Sequence, residues 1–200
     1  MLPDKFFLWP YSGDGLAEAI ADLNPVFSKS KLLKGWLGNP FPGDLVEYLA
    51  LACRNRNVNP WWLVVSGERE QSIFSREPVS SDVDLRAVEA WLGVVGQDVG
   101  RALLPGYYGI YTQVARFTEV TAWLMGIESA LAWPEYVRTR KVAARYHLGI
   151  TLPVKGMDGS DVQLQPLSRG DYMQLAYTPH LKVLGVNEKL AHEWVPARFL

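Results

Sequence analysis

The sequence lacks the features that mark several common classes of protein. One cysteine, Cys53, stands among its 200 residues, which excludes an intramolecular disulfide and a cysteine-based zinc site. Lys and Arg total 20 against 21 Asp and Glu, so there is no basic excess to attract nucleic acid, and we expect no such partner. The histidines lack metal-ligand spacing and no glycine-rich phosphate loop occurs. We therefore expect no metal and no cofactor.

Long apolar runs are also missing. None approaches the ~18 residues that a membrane-spanning helix needs. Residues 1–15, MLPDKFFLWPYSGDG, carry one lysine and a short apolar patch broken by proline and glycine, which does not make a signal peptide. We expect a protein made in the cytosol without a transmembrane segment. Action beyond the cytosol would then need non-standard export or cell lysis.

What the sequence does have is enough apolar material for a sizeable core. Hydrophobic residues make up 48% and charged residues 20%, which is typical of one globular domain at this length. Eight tryptophans and an aromatic content of 12% are high. Most of these rings should be core, but carbohydrate-binding grooves also use aromatic platforms, so the count slightly favours such a groove.

Apolar periodicity predicts a mainly α-helical domain with one small β-hairpin. Helices are predicted over 14–23, 43–55, 60–74, 84–95 and, as one long or two shorter helices, 112–133. Asp14 is a candidate cap of the first helix, and Asn59 followed by Pro60 should open the third. Residues 150–154 and 161–165 alternate around Asp158-Gly159, a hairpin turn signal.

Residues 58–72, VNPWWLVVSGEREQS, place two carboxylates at the end of an apolar helix. At ~100° per residue, Glu70 shares a face with Leu63, Gly67 and Phe74, whereas Glu68 should project into solvent. Gly67 should leave room for a ligand to approach Glu70. Apolar surroundings favour the protonated carboxyl that a general acid requires. Alternatively, Glu70 is a solvated residue at a frayed helix end, or it pairs with a buried arginine.

Several segments carry a resemblance to lysozyme-like peptidoglycan hydrolases related to lytic transglycosylases and goose-type lysozymes. In that family an Asn-Pro pair opens a helix that ends in Glu, and in one branch in Glu-Gln-Ser, as residues 70–72 do here. The segments AWLGVVG (90–96), PGYYGIYTQVAR (105–116) and LAYTPHL (175–181) are similar to further family motifs, and EWVPARFL resembles the closing aromatic helix.

The resemblance implies a lysozyme-like catalytic domain over about 45–200, with residues 1–44 as an N-terminal helical extension packed on it. It implies Glu70 as the catalytic acid. The residues it implies for substrate binding are Ser72, Tyr107, Tyr108, Gly109, Gln113, Tyr146 and Tyr177. Tyr146 is the weakest of these, because only Arg145-Tyr146-His147 echoes the Ala-Tyr-Asn motif of lytic transglycosylases. Gln113 and the tyrosine pair at 107 and 108 have core packing at a helix start as their alternative.

The implied activity is cleavage of peptidoglycan glycan strands, by hydrolysis or by transglycosylation, in a monomeric, bacteriolytic protein of phage type or secreted-effector type. Such cleavage needs an acid and a means of stabilising an oxocarbenium-like centre. The sequence offers no compelling second carboxylate: Asp82, Asp84 and Asp98 lie in a region that could face the groove, but helix caps and solvated turns explain them better. Two other classes stay open: an inactive lysozyme-fold module that binds glycan or serves a structural role, and a helical adaptor that binds protein through its aromatic residues.

Overall fold

The computed structural model describes residues 1–37, 43–93, 109–126 and 149–200. These ranges contain eight α-helices and one two-stranded antiparallel sheet, which confirms the predicted mainly helical chain with a small hairpin. The helices are α1 (Leu16–Phe27), α2 (Lys31–Leu37), α3 (Gly43–Asn55), α4 (Pro60–Gln71), α5 (Ser81–Glu89), α6 (Ile110–Leu124), α7 (Arg169–Tyr177) and α8 (Leu181–Trp194). Short 3-10 helices lie at Asp4–Phe7 and Ala197–Phe199. No helix in these ranges is long and apolar enough to cross a membrane.

Helix α4 begins as the sequence predicts. The side chain of Asn59 accepts a hydrogen bond from the Trp61 amide at 2.9 Å, and Pro60 occupies the first helical position. The amide group of Asn59 also donates to the carbonyl of Phe6 at 2.6 Å. One side chain therefore caps α4 and ties it to the N-terminal segment.

Helix α4 is the central helix of the fold. Its residues from Pro60 to Glu68 are all buried, and α3 and α8 pack against it. A helix that is covered on every side lies in the interior of its domain. Only the last turn of α4 approaches the surface, so a polar side chain there stands at the boundary between core and solvent.

Aromatic rings join the segment that follows α4 to other parts of the core. The ring of Phe74 lies edge-on to Phe27 at 5.0 Å and to Trp91 at 6.4 Å, and it is tilted against Trp194 at 5.8 Å. Rings in such edge and tilted arrangements contribute beyond the apolar area they bury. Cys53, on α3, is also fully buried in this core.

The N-terminal segment packs on the helices that follow. Leu8 forms a β-bridge with Val58 just before α4. Asp4 accepts a hydrogen bond from the Gly170 amide at 2.9 Å, at the start of α7. These bonds hold residues 4–8 against two later helices, while the predicted domain boundary at 44 stays a prediction.

The hairpin pairs β1 (Leu152–Lys155) with β2 (Asp161–Leu164) in antiparallel register, Leu152 opposite Leu164. The turn contains Gly159 at φ +85°, a left-handed conformation that favours glycine. The Lys155 amide donates to the Pro179 carbonyl at 2.9 Å, which joins the hairpin to the start of α8.

Several predicted helix boundaries are wrong. Helix α1 begins at Leu16, and Asp14 is not its cap: Gly15 holds that position and Asp14 pairs with Arg54. Helix α5 covers Ser81–Glu89, not 84–95. Helix α4 ends at Gln71, because Ser72 turns into the left-handed region at φ 50°. The part of the helical segment predicted over 112–133 that follows residue 126 lies outside the described residues.

Candidate active site

Glu70 lies where α4 emerges from the core. It occupies the last turn of the helix, and its side chain is 33% exposed. The predicted burial of Glu70 on an apolar face is therefore wrong, because α4 reaches the surface at this turn. Glu70 is instead a partly exposed carboxylate at the boundary between the core and solvent.

Arg69 holds one oxygen of the Glu70 carboxylate. Its Nε and Nη2 atoms donate to Oε1 of Glu70 at 2.9 and 2.7 Å. The arginine side chain is only 5% exposed. The pair thus matches the alternative in which Glu70 is bound to a buried arginine. Charge-assisted hydrogen bonds of this kind are the stronger ones in proteins.

Two further residues fix the Arg69 guanidinium. Nη1 of Arg69 donates to Oδ1 of Asn187 on α8 at 2.8 Å, and Cζ lies 5.6 Å from the centre of the Trp62 ring. Cation–π stacking and a directed hydrogen bond both restrict the planar group. The position of Glu70 therefore depends on α8 as well as on α4.

The backbone of Gly93 lies directly against the Glu70 carboxyl. A Cβ atom built on Gly93 would lie 2.7 Å from Cδ and 2.8 Å from Oε2 of Glu70, closer than any side chain allows. Gly93 also has φ +62°, which disfavours other residues. Glycine at this position lets Glu70 rest on the segment Trp91–Gly93.

Gln113 contacts the same segment. Its Oε1 atom accepts a hydrogen bond from the Leu92 amide at 3.3 Å, and its side chain is fully buried. The indole of Trp91 donates to the Ile110 carbonyl at 3.1 Å, which fixes the start of α6 on this segment. Glu70 and Gln113 therefore contact consecutive residues, Gly93 and Leu92. Gln113 holds the segment from inside the domain.

Glu68 does not face solvent, and that prediction is wrong. Its side chain is buried, accepting hydrogen bonds from the Phe74 amide at 3.0 Å and from the Ser75 hydroxyl. Helical projection fails here because α4 ends at Gln71 and the chain then folds back over Glu68. Glu68 closes the turn after α4.

Gly67 does not leave space beside Glu70, which also corrects the prediction. A Cβ atom there would lie 2.8 Å from Cε3 of Trp91 and 3.1 Å from Cγ2 of Ile73. The glycine admits the Trp91 indole into the core. The glycine that borders Glu70 is Gly93, on a different segment of the chain.

The other residues implied for substrate binding are placed only in part. Ser72 is the half-exposed residue that ends α4, and Gly109 precedes α6 at φ 106° and ψ 146°. That backbone conformation is nearly restricted to glycine. Tyr177 ends α7. The remaining candidates, Tyr107, Tyr108 and Tyr146, lie outside the described ranges, and the binding roles of all these residues stay predictions.

Asp84 has a structural role at the start of α5. It is buried and accepts the Val79 amide at 2.9 and 3.1 Å, with Arg76 at 3.3 Å. Asp82 is exposed, and Asp98 is outside the described residues. Within the described part of the chain, no group of three or more His, Cys, Asp and Glu side chains is placed to hold a metal ion.

Sequence reasoning missed Arg69, Gly93 and Asn187. Adjacent residues on a helix do not normally face each other, so the position of Arg69 beside Glu70 gave no signal. Asn187 is 118 positions from Arg69, and no local pattern links them. A signal existed only for Gly93, as a glycine within AWLGVVG.

Comparison of the chain with protein-family models, with curated proteins and with solved structures gave no match.

Proposed function

We propose that this protein cleaves the glycan strands of peptidoglycan, as a muramidase or lytic transglycosylase, with Glu70 as the general acid of a lysozyme-like domain. One observation carries the proposal: Glu70 is a solvent-reachable carboxyl at the end of a buried helix, pressed against the Gly93 backbone. The Glu-Gln-Ser sequence and the shared contact of Glu70 and Gln113 with residues 92–93 also support it.

In the proposed reaction, Glu70 donates one proton. As the bond between the anomeric carbon and the bridging oxygen breaks, the bond electrons pass to that oxygen, which takes the Glu70 proton. The anomeric carbon is then attacked by water or by a hydroxyl of the same substrate. The attacking oxygen releases its proton to the Glu70 carboxylate, which restores the acid. A single carboxyl suffices for this cycle when the substrate's own hydroxyl attacks.

The proposed site of action is the cell wall. Peptidoglycan lies outside the cytosol, so a chain made in the cytosol would reach it after non-standard export or after lysis, as phage-type or secreted-effector proteins do. We expect it to act as a monomer, because one chain carries the acid and the residues proposed to bind glycan.

Mass spectrometry of a peptidoglycan digest tests the proposal. Wild-type protein should release glycan fragments, with anhydro-sugar ends for transglycosylation or reducing ends for hydrolysis. Glu70→Gln keeps the shape of the side chain but removes the transferable proton. Since general acid catalysis contributes about 10² to 10⁴ in rate, this variant should release almost nothing.

Glu77→Gln is the matched control. Glu77 is exposed and pairs with Lys31 on the surface, and such pairs contribute little. It should digest peptidoglycan at the wild-type rate. Equal digestion by Glu70→Gln would refute the assignment of Glu70, and no digestion by wild type on several peptidoglycan types would refute the activity.

The second candidate is a lysozyme-fold module that binds glycan, or serves a structural role, without cutting it. The Arg69 pair with Glu70 and the complete burial of Gln113 favour its structural form, because both side chains already have protein partners. Co-sedimentation with insoluble peptidoglycan separates the candidates. Retention on the pellet without released fragments would support the binding module.

A further inference from the structure

The pairing of Arg69 with Glu70 is unusual for neighbours in a helix. Successive side chains point about 100° apart, so residues i and i+1 do not face each other. Here the two side chains meet because the guanidinium is drawn aside by Asn187 on α8 and stacked over Trp62. The contact is therefore built by tertiary structure.

We propose that Arg69 is a positioning residue that selects which oxygen of Glu70 carries the reactive proton. The inference rests on the proposed function and deepens it. A guanidinium has five N–H donors and no acceptor. An oxygen that faces two of these donors cannot itself carry a proton directed at them. Oε1 accepts hydrogen bonds from both Nε and Nη2 of Arg69. The proton of the protonated acid is therefore carried by Oε2.

Oε2 is the oxygen that lies against Gly93. A Cβ atom at Gly93 would come within 2.8 Å of it, so the backbone leaves just enough space for the carboxyl in this orientation. Arg69 on one side and Gly93 on the other thus fix the torsion of the Glu70 carboxyl. A glycosidic oxygen would receive its proton from one defined direction.

Arg69 also lies beside the charge that this step creates. When Oε2 gives its proton to the leaving oxygen, negative charge appears on the Glu70 carboxylate. The guanidinium is already in place and little exposed, at 5%, so it stabilises this charge without reorganisation. Asn187 is the anchor: it is fully buried and its Oδ1 accepts from Nη1 at 2.8 Å.

The test compares Arg69→Gln and Arg69→Lys with Arg76→Gln in steady-state cleavage of a soluble glycan-strand oligosaccharide. Arg76 lies near the same turn but pairs with Asp84, and serves as the matched control. We expect kcat to fall about tenfold to hundredfold in Arg69→Gln with KM changed less than twofold, since misoriented groups lose rate and not binding. Arg69→Lys keeps the charge and should recover part of kcat, and Arg76→Gln should match wild type.

Asn187→Leu provides a second variant that leaves Arg69 in the chain. It keeps side-chain bulk but removes the anchor, so kcat should fall in the same direction and by less. If Arg69→Gln is folded and its kcat equals that of Arg76→Gln, the positioning role is refuted. If Arg69→Gln does not fold, unchanged kcat in Arg69→Lys and Asn187→Leu refutes it equally.

Crystal structures of Arg69→Lys and Asn187→Leu separate this inference from the proposed function. If wild type cleaves no glycan, the activity is refuted but the orientation of Glu70 can still be seen. A carboxyl that leaves Gly93 in these variants supports positioning by Arg69. A carboxyl that stays on Gly93 refutes it.

Discussion

Glu68 and Glu70 stand two positions apart and have opposite surroundings. Glu68 is 6% exposed and serves the turn that follows α4, whereas Glu70 is open to solvent and held by Arg69. The sequence pattern indicated the reverse, because a helical projection assumes that the helix continues. The turn at Ser72 reverses the outcome for both residues.

We expect Glu68→Gln to lower the free energy of unfolding by about 1–3 kcal/mol. The glutamine oxygen can still accept from the Phe74 amide and its NH2 group can donate to the Ser75 hydroxyl, but two charge-assisted bonds become weaker neutral ones. Urea unfolding measures the change. Glu77→Gln, at an exposed surface pair, should unfold like wild type, and a Glu68→Gln protein that does the same would contradict the role assigned to Glu68.

Gly93→Ala should reduce peptidoglycan cleavage at least about tenfold, because the methyl group would displace the Glu70 carboxyl and small misplacements of an acid are costly. The matched control is Gly13→Ala. Gly13 has φ +58°, close to the +62° of Gly93, but nothing lies within 4 Å of its Cβ position. Both variants should lose about 1–2 kcal/mol through left-handed backbone strain. Loss of cleavage in both, or in neither, would contradict the contact.

At the scale of the element, features set by local sequence were predictable. Helix α3, the Asn59-Pro60 start of α4 and the hairpin all depend on neighbouring residues and were predicted with their positions. The end of α4 was not, because Glu68 binds amides that arrive only when the chain folds back. Local helix propensity does not predict such a contact.

The cap of α4 gives a prediction for this scale. We expect Asn59→Ala to lower the free energy of unfolding by about 1–3 kcal/mol, since it removes the cap on Trp61 and leaves the Phe6 carbonyl without its donor. Ser80→Ala is the control, because Ser80 precedes α5 without a side-chain cap bond. Thermal or urea unfolding compares the two. Equal losses would show that the Asn59 bonds contribute nothing specific.

At the scale of the whole molecule, the two ends of the chain meet beside α4. The Tyr11 hydroxyl donates to Asp22 at 3.1 Å and accepts from the Trp61 indole at 3.1 Å. Arg198, near the C-terminus, pairs with the same Asp22, and the Phe199 ring lies 5.0 Å from the Tyr11 ring. Burial raises the pKa of Tyr11 above its ordinary value, and the Asp22 carboxylate adds to that rise.

This cluster predicts loss of stability in alkali. Above about pH 10, the ordinary pKa of tyrosine, the unfolded chain releases the Tyr11 proton while the folded chain retains it. The stability that Tyr11 contributes is therefore complete below that pH and falls as the pH rises above it. Urea unfolding between pH 8 and 11 should show a fall, and Tyr11→Phe should make the fall above about pH 10 shallower while lowering stability at pH 8. An unchanged alkaline fall in Tyr11→Phe would contradict the assignment.

The candidate site is predictable only where one segment builds it. Glu70 was found from residues 58–72, and Gln113 from its own motif. Arg69 gains its place from Asn187, far along the chain, and Gly93 from the fold of a separate segment. Contacts of this range arise from packing, which the periodicity of a single sequence does not encode.

The buried thiol of Cys53 provides a built-in probe for the opening of the core. It is fully buried on α3, and burial raises the pKa of this thiol, so the folded protein should resist alkylation. Because the sequence has no other cysteine, every labelled molecule must have exposed α3. The labelling rate can be measured at a chosen urea concentration and divided by the rate for the unfolded chain. This ratio is the fraction of time for which the Cys53 thiol is exposed.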